Sequence, residues 1–392
     1  MAPYLEWILV VWTLLAAAWW TIAIVVTWRQ QRRSRSGAVT LSAAFSSESP
    51  TVTIFKPIAS LGTEEPPASL VAALESFIVQ LDSRSEMLLG IQRDEAEPWE
   101  PVLERWRGKF PVARVKSVVR AKPNFFLSPK VSWLHALAEH ATGEWWMWSD
   151  SDIVAPAGML TALRREMIES GDGMLTCPYA IRGIETLPMM LEALFVNVEF
   201  YPGVLACRAA GPVRFGLGAG MVFSAERFRQ RVQWEALGAR MADDNALGRA
   251  LAPVRISHTV LETEAAETNW RDAVQHYLRW QKTIRWCQPA GFAGQILIVP
   301  MLGWLLAVLT HPGTAVAWLG LVVTAQLELM TAAIVFWLVG CELKSWRVVG
   351  LWSVLLRPLT WVYCWLPWPV VFRSQNRKWS SLYESVPLEG ES

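Results

Sequence analysis

Two carboxylates separated by one residue follow the most apolar short run in the middle of the chain. The run is Trp145-Trp146-Met147-Trp148, and the carboxylates are Asp150 and Asp152. Charged side chains rarely end a buried strand without a partner, because their removal from water is costly. Two carboxylates at i and i+2 can converge on one Mg²⁺ or Mn²⁺ ion, with a diphosphate completing the shell. We therefore predict a site for a divalent cation and a diphosphate after this run.

A second carboxylate pair, Asp243 and Asp244, lies between Ala242 and Asn245. Adjacent carboxylates can cap the N-terminus of a helix. They can also supply a general base, because the negative charge of one raises the pKa of the other. The residues alone leave both roles open.

Basic and aromatic residues are concentrated at 276–286, just before the apolar C-terminal region. Arg279, Lys282 and Arg285 are spaced three apart and share a helix face. They can clamp a diphosphate, with Trp280 stacked beside them. They can also form a juxtamembrane helix that meets anionic lipid. Both roles can hold together.

Several smaller features lie at the ends of predicted elements. Glycines allow a ligand to approach the backbone closely, or simply form a tight turn. Lysine in such a position contacts phosphate or solvent, and an aspartate there binds a ligand or lies in a solvated loop. The features are Lys56-Pro57 after the first strand, Asp94 after the second, Lys130 after Ser128-Pro129, and Gly218 and Gly220 in a Gly-rich segment.

The elements that would position these candidate residues form an α/β pattern in the sequence. Apolar runs predict strands, and amphipathic segments between them predict helices; their alternation indicates βαβ units and a largely parallel sheet. Ligands bind beyond the carboxyl ends of such strands. The chain has no GxGxxG and no GxxxxGK[ST], which disfavours a dinucleotide oxidoreductase and a P-loop NTPase. The predicted strands are 51–56, 86–92, 112–119, 144–148 and 173–177, and the predicted helices are 66–80, 98–110, 130–141 and 155–170.

The composition of the 392 residues disfavours a fully soluble protein. Hydrophobic residues make up 53%, charged residues only 18%, and the mean hydropathy is +0.25. With 36 Lys and Arg against 35 Asp and Glu, the chain lacks the basic excess of a general nucleic-acid binder. The five cysteines are scattered and form no CxxC, which disfavours a disulfide framework and a cysteine metal site.

The segment 5–28 contains one charge and is long enough to cross a bilayer. Arg29, Arg32, Arg33 and Arg35 follow it, whereas a cleaved signal peptide carries its basic residues in front. We therefore predict an uncleaved anchor with the N-terminus outside and the following domain in the cytoplasm.

Two further apolar spans, 290–310 and 314–340, predict a hairpin. The proline-interrupted segment 351–372 predicts a re-entrant or interfacial element, because a full crossing would put the following cations outside. The predicted organisation is an anchor at 1–28, a basic linker at 29–50, a cytoplasmic catalytic domain at 51–288, a transmembrane hairpin at 289–340, a re-entrant or third C-terminal membrane segment at 341–373, and a tail at 374–392.

The order of these features resembles the membrane glycosyltransferases of family 2 and 21 type, and most of all the ceramide glucosyltransferase branch with its bacterial hopanoid-associated relatives. The resemblance covers about 51–286. It implies a GT-A nucleotide-sugar-binding domain, a Rossmann-like mixed sheet, with transmembrane helices on both sides. It also implies a UDP-sugar donor and a divalent cation, Mg²⁺ or Mn²⁺. The matching pieces are Phe55-Lys56-Pro57, Gln92 to Asp94, Ser128-Pro129-Lys130-Val131, Ser149-Asp150-Ser151-Asp152, Ala242-Asp243-Asp244 and His276 to Trp280.

The resemblance also implies roles for individual residues. Asp94 would contact the uridine, Asp152 the metal, and Asp244 would deprotonate the acceptor hydroxyl. Lys56, Pro57, Lys130 and Asp150 would contact the nucleotide-sugar, and Arg279 and Trp280 would take the (Q/R)xxRW role near the diphosphate and acceptor. Asp243, Arg285, Gly218 and Gly220 are further candidates with no assigned role.

Two positions depart from the family pattern. His276 replaces the Gln or Arg of the (Q/R)xxRW motif, and Gln275, one residue earlier, is a possible substitute. The lysine loop reads Ser-Pro-Lys-Val-Ser instead of Asn-Pro-Lys-Val-Asn, which changes the polar contacts around Lys130.

These observations predict an inverting membrane enzyme that transfers one sugar, most simply glucose from UDP-glucose, to the hydroxyl of a lipid such as ceramide. Hopanoid, diacylglycerol and polyprenyl phosphate remain alternative acceptors. A processive polysaccharide synthase is disfavoured, because three or four apolar segments are few for a polymer channel. A non-catalytic lipid-binding scaffold is disfavoured, because the carboxylates lie where an α/β sheet binds ligands.

Overall fold

The computed structural model describes residues 1–39, 50–58, 65–121, 123–171, 173–240, 242–264 and 269–340. The chain forms two compact units. One consists of Met1–Arg32, Ala180–Ala206 and the described part of Glu264–Gln375. The other contains Arg33–Tyr179 and Cys207–Thr263. The predictions for 341–373 and 374–392 lie outside the described residues.

Strands and helices alternate along the first half of the α/β unit, as the sequence predicts. The strands of the described residues are β1 (Val52–Pro57), β2 (Ser85–Gln92), β3 (Arg114–Arg120), β4 (Trp145–Trp148), β5 (Met174–Thr176), β6 (Tyr179–Arg182), β7 (Met221–Ser224), β8 (Val254–Ile256) and β9 (Leu261–Glu264). The helices are α1 (Pro3–Val39), α2 (Ala68–Ile78), α3 (Ala96–Lys109), α4 (Pro129–Ala138), α5 (Met159–Ser170), α6 (Leu187–Leu194), α7 (Tyr201–Ala210), α8 (Ala225–Arg231), α9 (Trp234–Gly238), α10 (Asp243–Ala250), α11 (Trp270–Cys287), α12 (Pro289–Gly294), α13 (Pro300–Thr310) and α14 (Ala315–Val339).

Seven of these strands form one sheet in the order β3-β2-β1-β4-β7-β5-β8. The first four pair in parallel, as do β5 and β8, while β7 runs antiparallel to both of its neighbours. The sequence predicts the parallel part, and the antiparallel β7 makes the sheet mixed. The carboxyl ends of β1, β2 and β4 therefore share one edge, where ligands bind in sheets of this kind.

The strands β1, β2, β4, β5 and β7 are buried on both faces, which explains why they are largely apolar, whereas the edge strand β3 is mostly exposed. Successive side chains of a strand point to opposite faces. Accordingly, Ile54 and Met147 belong to one core cluster, whereas Phe55, Trp146 and Trp148 belong to the other. The rings of Trp146 and Trp148 pack on Phe223 and Phe228, so the strand that precedes Asp150 is held by aromatic contacts.

The other unit contains helices long and apolar enough to cross a membrane. They are Pro3–Arg33, Leu187–Ala209 and Ala315–Val339. The sequence predicts the first and the third, but not Leu187–Ala209. That helix continues from α6 to α7 through a π-helical segment, Phe195–Phe200.

The span predicted at 290–310 is broken in the structure. Pro289–Ile298 and Pro300–Thr310 are bent by 52° at the break between them. Pro300 has no N–H to donate and its ring clashes with the preceding turn, so the helix restarts there. If this bent pair is one span, the described residues hold four candidate spans instead of three.

Candidate functional site

Lys130 and Asp150 form the closest charged contact at the edge described above. Lys130 Nζ lies 2.6 Å from Asp150 Oδ1 and 3.7 Å from Asp243 Oδ2. Although burial on its own would lower it, the carboxylates of Asp150 and Asp243 raise the pKa of Lys130 above its ordinary value. Lys130 is therefore a fixed positive charge between the two carboxylate pairs that the sequence singled out.

The position of Lys130 follows from the start of α4. Ser128 caps this helix: its Oγ accepts a hydrogen bond from the Val131 N–H at 3.3 Å. Pro129 occupies the first helical turn, where its missing N–H has no cost. The cap and the proline fix the helix start, and Lys130 follows at once.

Asp152 lies two residues beyond Asp150. Its Oδ2 accepts a hydrogen bond from Thr263 Oγ1 at 3.3 Å, and burial together with the charge of Asp150 raises the pKa of its carboxyl. Two carboxylates that repel each other favour a cation, and Mg²⁺ commonly takes one or two carboxylates plus substrate phosphates. Among the described residues no group of three His, Cys, Asp or Glu side chains surrounds a metal position. Asp150 and Asp152 supply oxygen ligands of the kind that a hard divalent cation prefers.

Lys56 lies beneath Asp150 and is fully buried. Its Nζ donates hydrogen bonds to Ser149 Oγ at 2.9 Å and to the Asp150 carbonyl at 2.8 Å. Burial lowers the pKa of Lys56 to about 7, although the nearby Asp152 and Asp150 oppose this shift. In this position Lys56 supports the turn after β4, and Pro57 beside it is buried as well.

Asp244 faces the same turn from α10. Its Oδ2 accepts a hydrogen bond from the Gly218 N–H at 3.2 Å, and its Oδ1 accepts one from the Asn245 N–H at 2.7 Å. Burial and the neighbouring Asp243 raise the pKa of Asp244 to about 6. A carboxyl with this pKa is ionised at neutral pH and still basic enough to accept a proton. Asp244 lies in the first turn of α10, where the helix dipole favours a carboxylate, but no side chain of the described residues caps this helix, whose N-cap residue is Ala242.

The two glycines differ in what surrounds them. A Cβ on Gly218 would lie 2.9 Å from Asp150 Oδ2 and 3.1 Å from Lys130 Nζ. The Gly218 carbonyl also accepts a hydrogen bond from the Asp150 N–H at 3.3 Å. A Cβ on Gly220 would instead meet Leu261 and Cys177. Gly218 therefore belongs to the charged cluster, and Gly220 to the packing behind it.

Asp94 is exposed in a 3-10 turn that follows β2. Its Oδ2 accepts a hydrogen bond from Gln92 Nε2 at 3.0 Å. Since β2 is parallel to β1 and β4, Asp94 lies at the same edge of the sheet as Asp150. The α/β unit thus collects one group of sequence-predicted residues at this edge: Lys56, Pro57, Asp94, Lys130, Asp150, Asp152, Gly218, Asp243 and Asp244.

Helix α11 carries the remaining candidates and belongs to the other unit. Arg279 and Gln275 are exposed, and Arg285 is partly buried. His276 and Trp280 lie four residues apart on one helix face, with ring centroids 4.3 Å apart. His276 Nδ1 also lies 3.2 Å from Glu192 Oε1 of α6.

Glu192 is a residue that sequence reasoning missed. The available signal was a carboxylate inside an apolar segment, because such groups are costly there and mark functional positions. The sequence pattern does not predict a helix over this segment, so it does not single out Glu192.

The class is a glycosyltransferase whose described residues include helices long and apolar enough to cross a membrane. The family model described as "Glycosyl transferase family 21" matches residues 7–374, nearly the whole chain. The chain belongs to glycosyl transferase family 21. The fold predicted from the sequence, a GT-A-type α/β domain with apolar helices before and after it, is confirmed.

A comparison with curated protein sequences gives no match. Among solved structures, the chain is similar to the mannosyltransferase PcManGT from Pyrobaculum calidifontis, solved in complex with GDP-mannose and Mn²⁺. The two are 18% identical, with a TM-score of 0.44 over 92% of this chain and 97% of the other.

Proposed function

We propose that this family 21 member is an inverting transferase that moves one sugar from a UDP-sugar, most simply UDP-glucose, to the hydroxyl of a membrane lipid such as ceramide. The product would be a β-glycolipid. The observation that carries the proposal is the arrangement around Gly218. Its N–H binds Asp244, while Lys130 and Asp150 meet directly beside it.

This arrangement separates two chemical tasks. Asp244 accepts the proton of the attacking lipid hydroxyl, since its pKa of about 6 leaves it ionised at neutral pH. Lys130 stabilises the negative charge that develops on the departing UDP. A single in-line displacement then breaks the bond between the sugar and UDP, forms the glycosidic bond, and inverts the anomeric centre.

Asp150 and Asp152 would hold Mg²⁺ or Mn²⁺ in this proposal. When bound, the cation would neutralise diphosphate charge as a Lewis acid. Asp150 would bind the nucleotide-sugar, and the Lys56 hydrogen bond to its carbonyl would keep its turn in place. Asp94 would contact the uridine.

On the acceptor side, Arg279 and Trp280 of α11 would contact the diphosphate and the lipid. The apolar helices would hold the catalytic domain at the cytoplasmic face, with the N-terminus outside. Anchoring in this way confines the enzyme and its lipid acceptor to the same thin layer.

Sugar transfer by the full chain in detergent tests the proposal. Radiolabelled UDP-glucose, UDP-galactose, UDP-N-acetylglucosamine and UDP-glucuronate would be offered with a mixed lipid extract and Mg²⁺ or Mn²⁺. We expect a labelled lipid with one sugar, which Asp244→Asn does not form and which Glu226→Gln, an exposed-carboxylate control, forms normally. A long polymer would indicate a processive synthase. Absence of product with every donor, from a folded protein, would refute the proposal.

A further inference from the structure

Glu192 and His276 form a buried polar pair in the unit of apolar helices. The Glu192 side chain is 7% exposed and the His276 side chain 14%. Glu192 Oε1 lies 3.2 Å from His276 Nδ1, an ion-pair distance without hydrogen-bond geometry, while Glu192 Oε2 has no hydrogen-bond partner among the described residues. A buried carboxylate that is only partly satisfied destabilises a fold. Such a group in a native structure calls for an explanation beyond packing.

An aromatic residue near Glu192 also contacts the (Q/R)xxRW-like segment of α11. Phe195, three residues after Glu192, packs on Tyr277 at 4.9 Å and on Trp280 at 5.4 Å between ring centroids. Phe195 is also the first residue of the π-helical segment, a rare conformation that occurs frequently at functional sites. Trp280 is thus held from two directions, by Phe195 directly and by Glu192 through His276.

The residue types found at position 276 also favour a contact with a carboxylate. The family motif has Gln or Arg there, and this chain has His. All three side chains carry N–H donors, whereas a carboxylate has only acceptors. A carboxylate opposite position 276 favours such a side chain, and Glu192 is that carboxylate, with its Oε1 3.2 Å from His276 Nδ1.

We propose that Glu192 is a positioning residue for lipid-acceptor binding, acting through His276 on Trp280. The inference rests on the proposed function, in which Trp280 contacts the acceptor. Arg279 is exposed and lies off the face shared by His276 and Trp280. Loss of Glu192 would therefore disturb the acceptor side and leave the diphosphate contact of Arg279 in place.

Steady-state kinetics of the full chain in detergent test this role, with UDP-glucose and a short-chain ceramide as probes. We expect Glu192→Leu to raise the acceptor KM roughly three- to tenfold, the effect of one lost polar contact, with the donor KM within about twofold of the parent. His276→Leu should act similarly, and the double variant should be no worse than either alone, because the two residues act as one unit. His276→Gln keeps a donor and should restore most of the acceptor affinity. Glu185→Leu removes an exposed carboxylate from the same segment and should change nothing.

The outcomes separate the inference from the function on which it rests. An unchanged acceptor KM in Glu192→Leu, an equal rise in both KM values, or additive effects in the double variant would overturn the positioning role. A parent protein that transfers no sugar would instead refute the proposed function. If Glu192→Leu does not fold, Glu192→Gln and Phe195→Leu replace it. Both should raise the acceptor KM selectively, and a normal acceptor KM in both would overturn the inference.

Discussion

Lys130 Nζ lies 2.6 Å from Asp150 Oδ1 and 3.7 Å from Asp243 Oδ2. One ammonium group therefore contacts two carboxylate pairs that are about ninety residues apart in the chain. The contact places a positive charge where the proposed diphosphate would bind. It also limits the electrostatic repulsion that these carboxylates would otherwise exert on an anionic donor.

Removal of the Lys130 charge should lower the catalytic efficiency with the UDP-sugar. We expect Lys130→Met to reduce kcat/KM for the UDP-sugar by roughly 10- to 100-fold, the range for a hydrogen bond to a charged group. Initial rates over a range of donor concentrations measure the change. Lys109→Met, which removes an exposed lysine of α3, serves as the control. Equal kinetics for both variants would show that the Lys130 charge does not contribute.

A methyl group added at Gly218 should displace the charged ends of Asp150 and Lys130. The Cβ of Gly218→Ala would meet Asp150 Oδ2 at 2.9 Å and Lys130 Nζ at 3.1 Å, closer than ordinary van der Waals contact. We expect a loss of at least about tenfold in kcat/KM, because small misplacements of reacting groups are costly. Gly108→Ala is a matched control, since a Cβ there meets nothing within 4 Å. Normal activity of Gly218→Ala would contradict the close packing of this cluster.

The activity should fall on the acid side of neutrality. Asp244 has a pKa raised to about 6, so below that pH it is protonated and unable to accept a proton. We expect kcat/KM to decrease about tenfold per pH unit below 6, as for a single essential base. Because the charge of Asp243 contributes to the raised pKa, Asp243→Asn should move the midpoint to lower pH. A profile that is flat between pH 5 and 7 would exclude Asp244 as the base.

Replacement of Lys56 should lower the free energy of unfolding. Lys56→Met keeps a similar volume but leaves the Asp150 carbonyl without its 2.8 Å donor. Loss of the donor to this partly buried acceptor costs at most about 1–3 kcal/mol, so the unfolding free energy should decrease by up to that amount. Chemical denaturation monitored by circular dichroism measures it. An unchanged midpoint would show that water replaces the lost donor.

The first half of the α/β unit follows from local patterns. Apolar runs bounded by turns at 51–56, 86–92 and 144–148 predict β1, β2 and β4, and the helices between them are amphipathic enough to be recognised. Asp150 and Asp152 stand out in the sequence because they follow a run of Trp and Met. In these elements local preference and tertiary environment agree.

Other features depend on contacts between distant residues. The antiparallel direction of β7 is set by its pairing with β4 and β5, and its short sequence does not encode direction. Leu187–Ala209 was missed because Glu192, Asn197 and Glu199 interrupt its apolar pattern, although tertiary contacts bury Glu192 and Asn197. Lys130 of α4 contacts Asp243 of α10, and residue spacing along the chain does not predict this contact.

The most direct test of the account is single-turnover transfer by Asp244→Asn compared with the parent protein. Both would be loaded with radiolabelled donor and mixed with excess lipid acceptor, and donor binding would be measured in parallel by equilibrium dialysis. We predict that Asp244→Asn binds the donor within about threefold of the parent, because the amide oxygen of asparagine can still accept the Gly218 N–H hydrogen bond. The labelled glycolipid should form at least about 100-fold more slowly, as expected when a general base is removed. Transfer at the parental rate with donor binding intact would contradict the assignment of Asp244 as the base.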